Sequence, residues 1–572
     1  MTEKLLENWL TRTNERGYMI PFCQLLVSNG YTLLYVSPHG MLEEGKDIIA
    51  LNQKGEPEAF QLKNGDITLA QWRSIQGEIN ELVALPIQHA SVSEKSQFKS
   101  WLVTNGEVKD PVRTQIVTQN RNNWGQKKNK KLQYQDKGVL LAGFLKAYGH
   151  FFPAEPADYK LFLDLHLTDG AEMFPKEKYL KFIESHLQVS ATTLTPTQAQ
   201  SLIASSIIMT SYILKPWEEK QNHVAQIEAW TCLMATIFAI ATKFSLTPDR
   251  YQSSLEIIQI ALEDSFANLL EEVKKRPHLI EGDWRTDTVV YPLRTTIILG
   301  YLCAYGLYKR LQGKPLDQNL EKDILAICEK HESKMRFIGE TFSPLFVVYF
   351  WFNELHQRSQ VGNRISTIVL GLINESTYPT PFGWPNPYYD YEYALRLQAG
   401  FLWEEHTDSF AGASYSLQAL LGIITRRDGR DFVAAQWRKI THTQFAEFVP
   451  GSSWETFLWR SPTGTCQTRF PTQTQSWKTL KEESLSTQFT KIPDLFMQHS
   501  ELLLIFILVY PQRLTEENIR FLDLTLSPKM LPSAEVTPWC LSDVCKISEE
   551  LDTMDTIKKS SAQDLLEADK IV

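Results

Sequence analysis

Residues 43–66 read EEGKDIIALNQKGEPEAFQLKNGD. Two short apolar runs, DIIAL and AFQLK, flank a turn around Lys54–Pro57, which predicts a β-hairpin. Side chains alternate along a strand, so Phe60 and Leu62 face one side and Gln61 and Lys63 the other. With the turn centred near Gly55, partner numbers sum to about 110, which places Asp47 opposite Lys63. Asp47, Gln61 and Lys63 then converge on one end of one face. A carboxylate and an amide oxygen suit a hard divalent cation. Such an ion polarises a phosphate and makes an attacking hydroxide from bound water. An ammonium beside it orients that water or neutralises developing negative charge. The competing reading is a surface hairpin with charged edges.

The surrounding sequence mixes strands and helices up to about residue 150. Lys4–Arg16 reads as a polar helix. Pro21–Asn29 reads as a short apolar helix, with Pro in its first turn and Gly30 as its stop. YTLLYVS (31–37), SWLVTNG (100–106) and KLQYQ (131–135) read as strands. Leu69, Trp72, Ile75, Ile79, Leu82 and Val83 recur at spacings of three and four, which marks an amphipathic helix over Thr68–Leu85. Further helices follow from about Pro111 and over GVLLAGFLKAYGHFF. Two prolines in FFPAEPADY interrupt the pattern and divide residues 1–152 from a mainly helical part, 158–530.

These motifs, in this order, resemble the PD-(D/E)xK nuclease superfamily, whose motif is an Asp followed on the next strand by (Asp/Glu)-x-Lys. Gln61-Leu62-Lys63 is similar to the Gln-x-Lys form of the Mrr-like restriction endonuclease branch. CQLLVSNGY resembles that branch's first helix and GY turn, and HGMLEEGKDIIA its GxxGxDI approach. WLVTNG resembles its later strand and QYQDKGVLLAGFL its closing strand and helix. The resemblance covers about residues 17–150. It implies an α/β N-terminal domain, restriction-endonuclease-like, with a mixed sheet flanked by helices. It also implies a Mg²⁺- or Mn²⁺-dependent endodeoxyribonuclease activity on DNA. Asp47 takes the place of the metal-binding carboxylate, Gln61 that of the second acid, and Lys63 that of the catalytic lysine. The main-chain carbonyl of Leu62 is a further metal ligand. The family's first-helix Glu falls on Met19 here, so that acid is missing from its place. Glu15, Glu43, Glu44 and Glu78 are the acids that stand in.

Charge distribution bears on the partner. The chain of 572 residues carries a net −9, yet residues 1–150 hold 18 Lys+Arg against 15 Asp+Glu, a net +3. The excess concentrates in RNNWGQKKNKK (121–131), where Arg121, Lys127, Lys128, Lys130 and Lys131 are candidate phosphate contacts. A solvated basic loop is the competing reading. Trp124 within it is either a base-stacking or a loop-anchoring aromatic. Arg73 and Gln76 lie on the helix that carries Glu78, with phosphate contact and ordinary surface roles both open. No GxxxxGK[ST] loop is present, so no ATP site is expected in this chain.

The remaining acidic part reads as helices over Gln198–Leu214, His223–Phe244, Ser253–Lys275, Thr295–Leu311 and Asp390–Trp403, with a hairpin at 454–470 and a flexible tail at 548–572. Its apolar runs reach about a dozen residues, short of the roughly 18 needed to span a membrane. Met1 leads into a charged stretch, so no signal peptide is expected. Seven cysteines without a CxxC pair point to free thiols and a cytoplasmic setting. Tyr378–Asp408 is rich in Pro and Tyr, a composition that lines a ligand pocket, forms a protein interface or caps a helical core. Glu404, Glu405 and His406 are consecutive and form no metal triad.

By analogy with restriction and anti-phage nucleases, the helical part is expected to control cleavage through a partner protein or oligomerisation. Two alternatives stay open: a non-catalytic nuclease-fold module that binds nucleic acid or protein, and a DNA-repair or junction-processing nuclease.

Overall fold

A computed structural model describes residues 2–37, 45–89, 92–93, 96–124, 131–148, 156–280, 290–313, 318–337, 339–358, 362–377, 385–389, 391, 393, 412–458, 466–469 and 476–526. The chain forms two compact units, Met1–Leu269 and a second from Leu270 onward. A mixed sheet occupies the N-terminal region, and the rest is mostly helical.

The first unit opens with helices α1 (Thr2–Arg12) and α2 (Glu15–Ser28). The helix break falls at residues 13–14, not before Pro21. Asn14 caps α2 by accepting the Gly17 N–H at 2.7 Å, and Pro21 is carried inside the helix. Gly30, at φ +77°, ends it as expected. Five strands follow in the order β1 (Thr32–Val36), β2 (Ile48–Leu51), β3 (Pro57–Lys63), β4 (Lys99–Thr104) and β5 (Leu132–Gln135). The first two pairings are antiparallel and the last two parallel. A parallel neighbour requires a crossover. α3 (Leu69–Ala84) makes the first crossover, and α4 (Asp110–Gln119) begins the second. α3 starts at a capping box in which Thr68 and Gln71 satisfy each other's backbone N–H groups. Its buried stripe of Trp72, Ile79, Leu82 and Val83 packs with Ile49, Ala59 and Leu102 of the sheet. The opposite face of the sheet buries Phe60 against Phe22 of α2 and Trp101 of β4.

α5 (Lys137–Tyr148) closes the sheet region and packs on α1 and α2. The unit continues through α6 (Pro156–His166), α7 (Lys176–His186), α8 (Pro196–Ile213), α9 (Lys215–Glu219), α10 (His223–Lys243) and most of α11 (Gln252–Lys275). α8 packs directly on α2, so the compact body extends well past the proline-rich stretch at 151–159. α10 is long and apolar enough to cross a membrane by length and composition, and 89% of its apolar window is buried inside the protein.

In the second unit, the helices Val290–Leu311, Ser343–Leu355 and Ser500–Val509 pack together. Buried charge ties its later helices. Asp523 accepts from Trp351 Nε1 at 2.7 Å, Arg426 Nε at 2.5 Å and Arg427 Nη2 at 2.8 Å, and Arg427 also holds Glu354. Of the hairpin expected at 454–470, residues 459–465 and 470 lie outside the described residues. Glu455–Phe457 is a 3₁₀ turn whose Glu455 accepts the Gly451 N–H. β8 (Cys466–Arg469) pairs with β7 (Gln444–Phe448), beside β6 (Ala413–Ser414). QFAEF supplies the alternating aromatic strand that β8 needs as a partner. Most of Asp390–Trp403, with Glu404, Glu405 and His406, lies outside the described residues, as does the tail at 548–572.

Candidate active site

The register of the β2–β3 hairpin sets the site. Ile48 faces Phe60 and Leu51 faces Pro57, so Asp47 comes opposite Gln61 rather than Lys63. The shift comes from the turn. Asn52 Oδ1 accepts the N–H groups of Lys54 and Glu56, which centres the loop on Lys54 instead of Gly55. The alternation still holds, and Gln61 and Lys63 share the face of Ala59, toward α3.

β2 stops pairing where the site begins. Asp47 N–H donates to the Phe60 carbonyl at 2.9 Å, and beyond that point Asp47 Oδ2 accepts the Leu62 N–H at 2.5 Å. A side chain has replaced the ladder. Tyr18 of α2 closes the other side: its hydroxyl accepts the Lys63 N–H at 3.2 Å and lies 2.9 Å from the Lys63 carbonyl and 3.2 Å from that of Val103. Asn105 secures the following loop, accepting from Gly65 N–H and donating to the Leu10 and Thr13 carbonyls. Neither Tyr18 nor Asn105 was marked by the sequence pattern, although Asn105 lies in the SWLVTNG run, directly after β4.

Asp47 and Gln61 are each 5% exposed. Gln61 Oε1 is buried without a hydrogen-bond partner. Leaving such an oxygen unmet costs about 1–3 kcal/mol, and its lone pairs are open to a ligand. Asp47 and Gln61 thus offer the hard oxygen donors that a small divalent cation takes. Among the described residues, no group of three or more His, Cys, Asp or Glu is placed to hold a metal ion.

Two acids meet Lys63. Glu78 of α3 lies 2.6 Å from its Nζ, and Glu15 of α2 lies at 4.0 Å while also accepting the Asn64 N–H at 3.1 Å. Burial pushes the Lys63 pKa down. The Glu78 hydrogen bond and the charges of Glu15, Glu78 and Asp47 push it up and prevail, so the ammonium is held protonated. Burial, with Glu15 next, raises the Tyr18 pKa well above its ordinary value. Glu15 and Glu78 are thus brought to Lys63, while Glu43 and Glu44 lie outside the described residues. The GKD stretch also docks α3. Gly45 sits at φ +70°, and a Cβ there would lie 2.4 Å from the Glu78 carbonyl oxygen.

Of the basic stretch, Arg121 is exposed on a π-type turn, Asn120–Trp124, and Lys131 is exposed just before β5. Lys127, Lys128 and Lys130 lie outside the described residues. Asn120 joins the ends of that segment, exchanging two hydrogen bonds with Leu132 at 2.9 Å each. Trp124 packs partly buried against the core, as a loop anchor does. Arg73 stands exposed on α3.

No protein-family model, curated protein or solved structure matches this chain.

Proposed function

We propose that this chain is a divalent-metal-dependent DNA endonuclease of the restriction or anti-phage type, with a restriction-endonuclease-like N-terminal sheet domain and a helical part that controls cleavage. The observation that carries this reading is the unmet, buried Gln61 Oε1 on the strand face shared with Lys63, opposite Asp47. Asp47, Gln61 and the Leu62 carbonyl would hold Mg²⁺ or Mn²⁺. The bound ion supplies Lewis-acid polarisation of the scissile phosphate and a lowered pKa for the attacking water. Lys63 holds a positive charge beside the reacting phosphate and neutralises charge that develops there. Glu78 and Glu15 position that ammonium. Arg121, Lys127, Lys128, Lys130 and Lys131 would hold the DNA backbone without reading sequence. The setting is cytoplasmic.

A non-catalytic nucleic-acid-binding module is the second reading, favoured by the contacts that already engage the site: Asp47 Oδ2 accepts the Leu62 N–H and Lys63 pairs with Glu78. Supercoiled plasmid separates the two. Wild-type protein with Mg²⁺ or Mn²⁺ is expected to nick or linearise it, and Asp47→Ala and Lys63→Ala to leave it intact. Wild type that retards DNA in a gel but cleaves in neither metal would establish the binding module instead.

A further inference from the structure

Among the described residues the second unit buries four arginines and treats them differently; Arg520 donates to the Glu483 and Gln488 carbonyls. Arg426 and Arg427 meet Asp523, and Arg427 also meets Glu354. Arg513 is 4% exposed, and its Nε and Nη1 have no hydrogen-bond partner. Phe448 of β7 and Phe506 cover the guanidinium, with ring centroids 4.7 and 5.5 Å from its central carbon. Cation–π contact satisfies the faces of a guanidinium and leaves its N–H edges, which lie in the plane. Burial pulls the Arg513 pKa down to about 9, so the group is still charged at neutral pH.

The backbone holds Arg513 firmly in this position. Its N–H donates to the Tyr510 carbonyl at 2.8 Å, and its own carbonyl accepts from Thr515 N–H at 2.8 Å and Asn518 Nδ2 at 2.9 Å. The described part of the Pro- and Tyr-rich segment docks beside it. Gln512 Nε2 donates to the Tyr389 carbonyl at 3.1 Å, and the Tyr391 hydroxyl donates to the Leu508 carbonyl at 3.3 Å. An isolated buried cation is costly, and folded proteins pair such groups or coordinate them. Planar oxyanions fit a guanidinium edge through two parallel hydrogen bonds.

We propose that Arg513 is the anchor of a small-molecule site in the second unit, which takes a carboxylate or phosphate group on the guanidinium edges between Phe448 and Phe506. Its ligand is a small oxyanion-bearing molecule rather than duplex DNA, because the group is too buried to reach a helix backbone. The assay is calorimetric titration of the full chain with sodium phosphate, sodium acetate or adenosine 5′-monophosphate, against sodium chloride at matched ionic strength. Wild type is expected to show one saturable site for at least one oxyanion. Acetate alone would identify a carboxylate ligand; phosphate or the nucleotide would identify a phosphate ligand. Arg513→Met is expected to abolish that site and to raise the thermal midpoint of the ligand-free protein, because an uncompensated charge has gone. Arg513→Lys keeps the charge without the fork and is expected to weaken binding roughly tenfold or more. Binding to none of the three, equal binding by wild type and either variant, or a response shared by chloride, which marks an adventitious ion only, would overturn the proposal.

Discussion

Replacing Gln61 by Met separates stability from function at the candidate site. Gln61 is 5% exposed and its Oε1 is unmet, so the ligand-free chain carries a desolvation penalty of about 1–3 kcal/mol there. Met is unbranched, similar in length and free of that penalty. In a chelator, Gln61→Met is therefore expected to be more stable than wild type by about 1–2 kcal/mol. For a unit of 269 residues this is a rise of roughly 2–6 °C in the thermal midpoint. Adding Mg²⁺ reverses the order. At one hundred times Kd wild type gains about 2.7 kcal/mol, while the variant lacks one donor and gains little. The assay is scanning calorimetry of both proteins with chelator and with Mg²⁺. A variant less stable than wild type in chelator, yet equally stabilised by Mg²⁺, would show that Gln61 is a structural residue and that the reasoning from its orphaned oxygen is wrong.

Three further substitutions test neighbouring features. Glu78→Gln removes the 2.6 Å partner of Lys63. Glu78 is half-exposed, so the stability loss is about 0–1 kcal/mol. The Lys63 pKa is raised, so its contribution is full below about pH 10.4 and is lost as pH rises through the folded value. The variant should flatten that alkaline limb in pH-dependent melting and shift the alkaline limb of cleavage to lower pH. Gly45→Ala forces a non-Gly residue to φ +70° with Cβ against the Glu78 carbonyl, and is expected to cost about 1–3 kcal/mol and to impair cleavage. Asp523→Asn takes the nearest anion from buried Arg426 and leaves Arg427 with Glu354 alone, and is expected to cost about 3–5 kcal/mol by urea denaturation. Burial pushes the Asp523 pKa up, but the two arginines pull it below the usual carboxylate range. Its stabilisation is thus present above about pH 3.9 and is lost as pH falls through the folded value. Wild type should show that acid limb and the variant should not.

The parts of the site legible in sequence were those fixed by short-range pattern. Apolar alternation around Asp47 and Phe60 located both strands, and the three- and four-residue spacing from Leu69 to Val83 located α3. Gly30 marked the end of α2 because only its left-handed turn is needed there. The register was off by two because Asn52, not Gly55, organises the turn. Sequence also left four candidate acids undecided. Glu15 reaches Lys63 because α2, capped by Asn14, begins at Glu15 rather than at Pro21, and Glu78 does so because Gly45 lets the β2 approach press on α3. Such tertiary fits have no periodic signature. The same holds for Tyr18, which looks like any buried helix aromatic until its hydroxyl meets Lys63. Arg513 was invisible for a related reason. Its significance lies in the carboxylate it does not meet, while Arg426 and Arg427 of the same unit have theirs.

Metal stoichiometry tests the central claim most directly. Mn²⁺ titrated into the full chain and followed by electron paramagnetic resonance should show one bound ion per wild-type chain, displaced by Mg²⁺. Asp47→Ala should lose that ion, while Lys63→Ala should retain it and still fail to cut DNA. Wild type that binds no Mn²⁺, or an Asp47→Ala protein that binds it as wild type does, would contradict the account.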